Sequence, residues 1–229
     1  MALPVPNDRP ERQAYLTTMT AALLALALAG PSNLDAPIMS EQDTTPHAST
    51  GAPGATMPAK GEEVAVLTTD KGAIVLKFFP DIAPEHVKSF KKLVSEKFYD
   101  DTRFHRCIPG FMVQGGDPNS KDVAKSSQWG TGGPGFHLKA EFNDMKHTRG
   151  VLSMARSSDP DSAGSQFFIM VKEAPSLDHK YTAFGVVVEG MPFVDEIVKT
   201  GDAGNNGKVE PNDAVQIKKA EIKTWPIER

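Results

Sequence analysis

RFHRCIPGFMVQGG, residues 103–116, sets two short runs of apolar and β-forming residues on either side of Pro109-Gly110. That is the grammar of paired strands joined by a tight turn. Strand alternation places Phe104, Arg106 and Ile108 on one face and His105 and Cys107 on the other. An arginine is seldom buried without a partner, and its guanidinium offers five fixed donors that do not titrate at neutral pH. Arg106 is therefore expected to polarise a bound group rather than to transfer a proton.

Outward from this pair, "VAVLTT" (64–69) and "AIVLKFF" (73–79) read as a hairpin around Asp70-Lys71-Gly72. The stretch 84–98, "PEHVKSFKKLVSEKF", is helical, with Val87, Phe90 and Val94 on one face and Pro84 suited to the first turn. "GTGGPG" (130–135) cannot be regular structure. "GVLSMA", "QFFIMV" and "TAFGVVV" are further strands, "MPFVDEIVK" is a second helix, and "DAVQIKKAEIKTW" is a last strand. Eight short strands without βαβ alternation predict a mainly β fold: a closed eight-stranded antiparallel β-barrel capped by two α-helices. A barrel of that size is filled by its own side chains, so any site is expected outside it.

The folded domain is expected over 63–229. Residues 30–62, rich in Pro, Ser, Thr, Ala and Gly, read as a disordered linker. Residues 1–29 read as a signal peptide: Arg9 and Arg12 precede "MTAALLALALAG", and Ala27-Leu28-Ala29 fits the small-x-small cleavage pattern. This predicts an extracytoplasmic protein, periplasmic or secreted; without a working signal it would be cytoplasmic. A net charge of −4 and the lack of a Lys/Arg-rich run argue against nucleic acid as a partner. The single cysteine, Cys107, excludes an intrachain disulfide and any multi-thiolate metal site.

Three stretches, "FHRCIPGFMVQGGDP", "GVLSMARSSDPDSAGSQFFIMV" and "LDHKYTAFGVVVEGM", closely resemble the cyclophilin-type peptidyl-prolyl cis/trans isomerases in order and spacing, over about Glu63 to Trp225. The resemblance implies a barrel of the kind described, with a shallow proline groove on its outer surface. It implies an enzyme that rotates X-Pro bonds in polypeptide substrates, with no cofactor, no metal and no obligate partner. Arg106, Phe111 and Gln114 would carry catalysis. Phe111, Met112, Phe168 and Leu177 would seat the proline ring, Gln114 would orient Arg106 or the substrate carbonyl, and Gln166 would line the same groove. Ala155 and Arg156 match positions that hold the substrate backbone, and Tyr181 one that hydrogen-bonds the peptide.

Other chemistry finds less support. Cys107 and His105 as nucleophile and base would share a face turned into the filled barrel, where a thiol is inert. His137, His147 and Glu141 fit no zinc spacing and read as solvated loop residues. "GTGGPG" lacks the Lys-Ser/Thr of a P-loop, and the sequence at Gly164-Ser165 is no nucleophile elbow. Against the family pattern, Ser176 stands where many eukaryotic members carry tryptophan and Arg156 replaces a common asparagine. One extra residue lies between Met154 and Gly164, as in bacterial members. Weak cyclosporin binding is the expected consequence. The competing reading is a module that holds proline-containing segments without turnover; Arg106, Phe111, Gln114 and Phe168 favour the enzyme.

Overall fold

The computed structural model describes residues 56–228. The signal peptide and the greater part of the linker expected from the sequence lie outside the described residues. Of that expected linker, residues 56–62 do make contacts: Pro58 is buried, and the Glu62 carbonyl accepts from the Trp225 amide at 2.8 Å.

Ten strands form one antiparallel sheet: β1 (Glu63–Thr69), β2 (Ala73–Phe78), β3 (Arg106–Ile108), β4 (Met112–Gly115), β5 (Val151–Met154), β6 (Phe167–Met170), β7 (Ala183–Glu189), β8 (Gly201–Asp202), β9 (Lys208–Val209) and β10 (Ile217–Thr224). Their order is β10-β1-β2-β7-β5-β6-β4-β3-β9-β8. Two features depart from the expected closed eight-stranded barrel. The hairpin β8–β9 adds two strands of two residues each, too short to leave a periodic signal. No ladder joins the outermost strands either; β10 approaches the chain ahead of β3 through a single bridge, Arg103 with Gln216. The Ile217 amide donates to Thr102 and the Phe104 amide to Val215 on either side of that bridge.

Helix α1 (Pro84–Ser95) buries His86, Val87, Ser89, Phe90, Leu93 and Val94. Its N-cap, Ala83, has no side-chain acceptor, so the first-turn amides are satisfied from afar. Glu141 accepts from the amides of Glu85 and His86 at 3.1 and 3.0 Å and from His86 Nδ1 at 2.6 Å. Burial alone would raise the Glu141 carboxyl, but these donors outweigh it and hold its pKa below the usual glutamate value. Burial likewise pushes the His86 imidazole down, so a neutral ring donates to a carboxylate. The helix stops three residues short of the 84–98 expected. Lys97 turns left-handed, and the amides of Lys97 and Phe98 close back onto Val94 and Leu93, a Schellman ending. Helix α2 (Met191–Val198) packs against β2, β3 and β4.

The main core gathers around Phe90, whose ring lies 4.8–5.7 Å from those of Phe78, Tyr99, Phe167 and Phe184. A second, smaller cluster of Met112, Val151, Phe168, Met170, Ala183 and Val186 covers the opposite face of the sheet. Alternation along β6 explains both: Phe167 and Ile169 enter the first cluster, Phe168 and Met170 the second. A strand buried on both faces reads as an uninterrupted apolar run, which is how "QFFIMV" is written.

Candidate active site

Strand register assembles the site. Arg106 faces Gln114 across β3–β4, Gln114 faces Phe168 across β4–β6, and Lys208 faces Arg106 across β9–β3. Directly paired residues share a face, so Lys208, Arg106, Gln114 and Phe168 form one row across four strands. The row floors a cavity of about 440 Å³. Of the ten residues expected from the sequence, Arg106, Phe111, Met112, Gln114, Ala155, Arg156, Phe168, Leu177 and Tyr181 line it. Gln166 does not; it lines the adjoining cavity formed by Gly130–His137, and reaches Arg106 only through Gln114.

A chain of hydrogen bonds fixes that reach, and its direction is forced. The carbonyls of Gly130 and Gly132 can only accept, so the Gln166 amide nitrogen faces them at 3.0 and 2.9 Å. Gln166 Oε1 then accepts from Gln114 Nε2 at 3.0 Å, and Gln114 Oε1 accepts from Arg106 Nη1 at 3.3 Å. A guanidinium has no acceptor, so no other polarity satisfies all the groups. The loop carbonyls are held in turn by Asp117, fully buried, whose carboxylate accepts from the amides of Asn119, Gly130 and Gly132.

Asn206, which sequence reasoning missed, clamps the other edge of Arg106. Its carbonyl accepts from Nε at 3.0 Å and its Oδ1 from Nη2 at 2.7 Å. Asn206 adopts φ 53°, a left-handed conformation asparagine tolerates well, on the turn between β8 and β9. The turn is pressed onto β3: a methyl on Gly207 would lie 2.4 Å from Ile108 Cγ1 and 2.7 Å from the Cys107 carbonyl oxygen. The Asn-Gly pair at 206–207 was the available signal. Burial lowers the Arg106 pKa from the usual arginine value, yet an arginine so placed remains cationic.

The apolar part of the cavity is preset. Phe168 meets Tyr181 edge-on at 5.7 Å, and His147 stacks behind it at 6.0 Å. His147 is 2% exposed, not a solvated loop residue: Nδ1 lies 3.1 Å from Asp178 and Nε2 3.0 Å from Ser153 Oγ. Glu141 and His147 thus serve different partners, while His137 is exposed. Arg156 donates to the carbonyls of Lys180, Ser157 and Ser158 and lies 4.7 Å over the Tyr181 ring.

Expected alternation fails at one point. Regular strand begins only at Arg106, and Phe104 turns inward beside Cys107, meeting Phe167 at 6.2 Å. His105 turns instead to the cavity wall, buried, with neither ring nitrogen hydrogen-bonded. Burial pushes its pKa down against the opposing Asp117 carboxylate. Cys107 is fully buried and its thiol is pushed up to about 12, so it is protonated and unreactive at neutral pH. The two side chains do not form a nucleophile–base pair.

The fold and cavity define an antiparallel β protein with an apolar patch, on inner strands and adjoining turns, beside a guanidinium held on both edges. The chain belongs to the cyclophilin-type peptidyl-prolyl cis-trans isomerases: a family model described as "Cyclophilin type peptidyl-prolyl cis-trans isomerase/CLD" matches residues 64–222. A probable peptidyl-prolyl cis-trans isomerase of Brucella abortus is 43% identical over 171 residues, 73% of this chain and 87% of that protein. Peptidyl-prolyl cis-trans isomerase B of Bacillus subtilis is 40% identical over 146 residues, 63% of this chain and 95% of that protein. Among solved structures, a Cryptosporidium parvum cyclophilin-type isomerase in the presence of the dipeptide Ala-Pro aligns with a TM-score of 0.62 and 30% identity, over 70% of this chain and 99% of that one. The protein is a peptidyl-prolyl cis-trans isomerase.

Proposed function

We propose that Arg106 is the catalytic donor for rotation of X-Pro bonds in extended polypeptides, with Phe111, Met112, Phe168 and Leu177 seating the proline ring. Rotation about a peptide C–N bond faces ~18–20 kcal/mol because amide resonance must be broken. Twisting localises the lone pair on the proline nitrogen, so a donor directed there binds the twisted state better than the planar one. Each tenfold acceleration needs ~1.4 kcal/mol of such preference. The observation that carries this reading is the double clamp on Arg106 by Asn206 and Gln114, which aims the guanidinium over the row that ends at Phe168.

Two-dimensional exchange NMR on a short Ala-Pro peptide tests it, because turnover and binding are read separately. Arg106→Ala is expected to bind the peptide, keep its fold and lose turnover by roughly a hundredfold or more, as loss of a preorganised donor does elsewhere. Arg106→Lys rescues poorly, since an ammonium cannot occupy both clamps. Parental turnover in Arg106→Ala would overturn the mechanism.

Two further readings complete the proposal. Ser176 lies exposed on the 3-10 turn Pro175–Leu177, and a hydroxymethyl there gives a large cyclic peptide such as cyclosporin little apolar wall. Cyclosporin is therefore expected to inhibit weakly, and Ser176→Trp to tighten inhibition by roughly tenfold or more. The sequence around "ALLALALAG" supports export to an extracytoplasmic compartment. Cell fractionation with N-terminal sequencing should find a mature chain starting near Gly30; an intact Met1 on a cytosolic protein would refute export.

A further inference from the structure

The chain as a whole carries a net charge of −4, yet the groove is lined by Arg106, Arg156 and Lys208 and, among the described residues, by no aspartate or glutamate. Among the described residues, neither guanidinium is paired with a carboxylate. Arg106 bonds only to the side-chain and carbonyl oxygens of Asn206 and to Gln114, and Arg156 only to three backbone carbonyls. Lys208 has Glu210 at 3.6 Å, but both side chains are more than half exposed, and such pairs are weak. The positions of these charges follow from topology. Lys208 is on β9 and Arg156 lies just beyond the end of β5, with β3, β4 and β6 between them. Four strand steps of ~4.8 Å make about 19 Å along the sheet, the length of roughly six extended residues. Arg106 and the proline seat lie between the two ends.

We propose that this groove selects proline segments carrying an acidic side chain, aspartate or glutamate, within about three residues of the proline. The inference rests on the groove being the proline site, and names the substrate class it favours. Arg156 is the principal specificity determinant. Its stacking on Tyr181 and its three carbonyl bonds hold the charge in place before substrate arrives, so little side-chain freedom remains to be lost on binding. Lys208, next to Arg106 in the row, serves the opposite end.

The test uses blocked hexapeptides with one central Ala-Pro and a Glu, Gln or Lys at each end, compared as kcat/KM by exchange NMR. The expected order is Glu above Gln above Lys, with roughly a threefold to tenfold spread for two exposed ion pairs. Raising salt from about 0.01 M to about 1 M, which shortens the Debye length from about 30 Å to about 3 Å, should compress the spread toward unity. Arg156→Glu should slow the Glu peptide relative to the Lys peptide, compressing or reversing the order because only Lys208 still favours the acid, whereas structural damage would slow all three peptides alike. Equal rates for the three peptides, or a spread unchanged in Arg156→Glu, would overturn the inference. Absence of turnover on the uncharged Gln peptide would instead refute the isomerase reading of the groove.

Discussion

Arg106 meets three oxygens, none of them charged, and that neutrality would suit the donor role proposed for it, in which it must change partners. A carboxylate partner would hold the guanidinium more tightly and blunt its response to a developing lone pair; amide and carbonyl oxygens position it without competing as strongly. The side-chain half of the Asn206 clamp can be removed cleanly, because glycine adopts a positive φ without strain. Asn206→Gly is expected to lower kcat/KM several-fold while Tm moves little, since the loss is one hydrogen bond worth about 1 kcal/mol. An unchanged kcat/KM would show that the Asn206 carbonyl and Gln114 suffice. The groove residues Phe111, Met112, Gln114, Phe168 and Leu177 were legible in sequence because each falls in a contiguous motif. Asn206 was not: it is 100 residues from Arg106, on a turn whose flanking strands have two residues each. His105 misled for a different reason, since alternation presumes a regular pleat and the strand starts one residue after it.

Elements here are finished by residues far from them in sequence. Helix α1 begins with Pro84 but borrows its cap from Glu141, and Glu141→Gln should cost about 1–2 kcal/mol at neutral pH, as lost caps do. Its folded pKa is depressed, so the unfolded chain takes up the proton first as the solution is acidified. The Glu141 contribution is thus complete above the ordinary value of 4.5 and disappears as pH falls through the folded value. Urea melts of parent and Glu141→Gln should converge below that point and separate above it; a gap independent of pH would mean the carboxylate charge is irrelevant. His86 and His147, both held neutral by burial, add an earlier loss that starts as pH drops below 6.5, because the unfolded imidazoles protonate first. Sequence placed the start of α1 correctly from Pro84 and overran its end, since a lysine at the left-handed closing position carries no composition signal comparable to glycine.

At the scale of the molecule, the long strands and the two helices followed from run lengths and turn residues, and the antiparallel sense from the lack of βαβ alternation, whereas the order of the strands in the sheet had no such signal. How the sheet ends was not legible, because one bridge between Arg103 and Gln216 depends on positions and not on residue types. The pairing of β1 with β10 has a mechanical meaning. Glu63, the first residue of β1, is opposite Thr224, the last of β10, so both ends of the 63–224 segment leave the sheet side by side at one end of the same ladder. Tension applied through those two points loads the β1–β10 hydrogen bonds one after another, as in opening a zipper, instead of shearing them together. With handles attached just outside residues 63 and 224, the domain should yield at low force with β10 peeling first, and handles moved to opposite ends of that ladder should raise the yield force several-fold. An isomerase of proline peptide bonds would then itself be easily unravelled by a pull through residues 63 and 224, while resisting a pull along the length of that ladder.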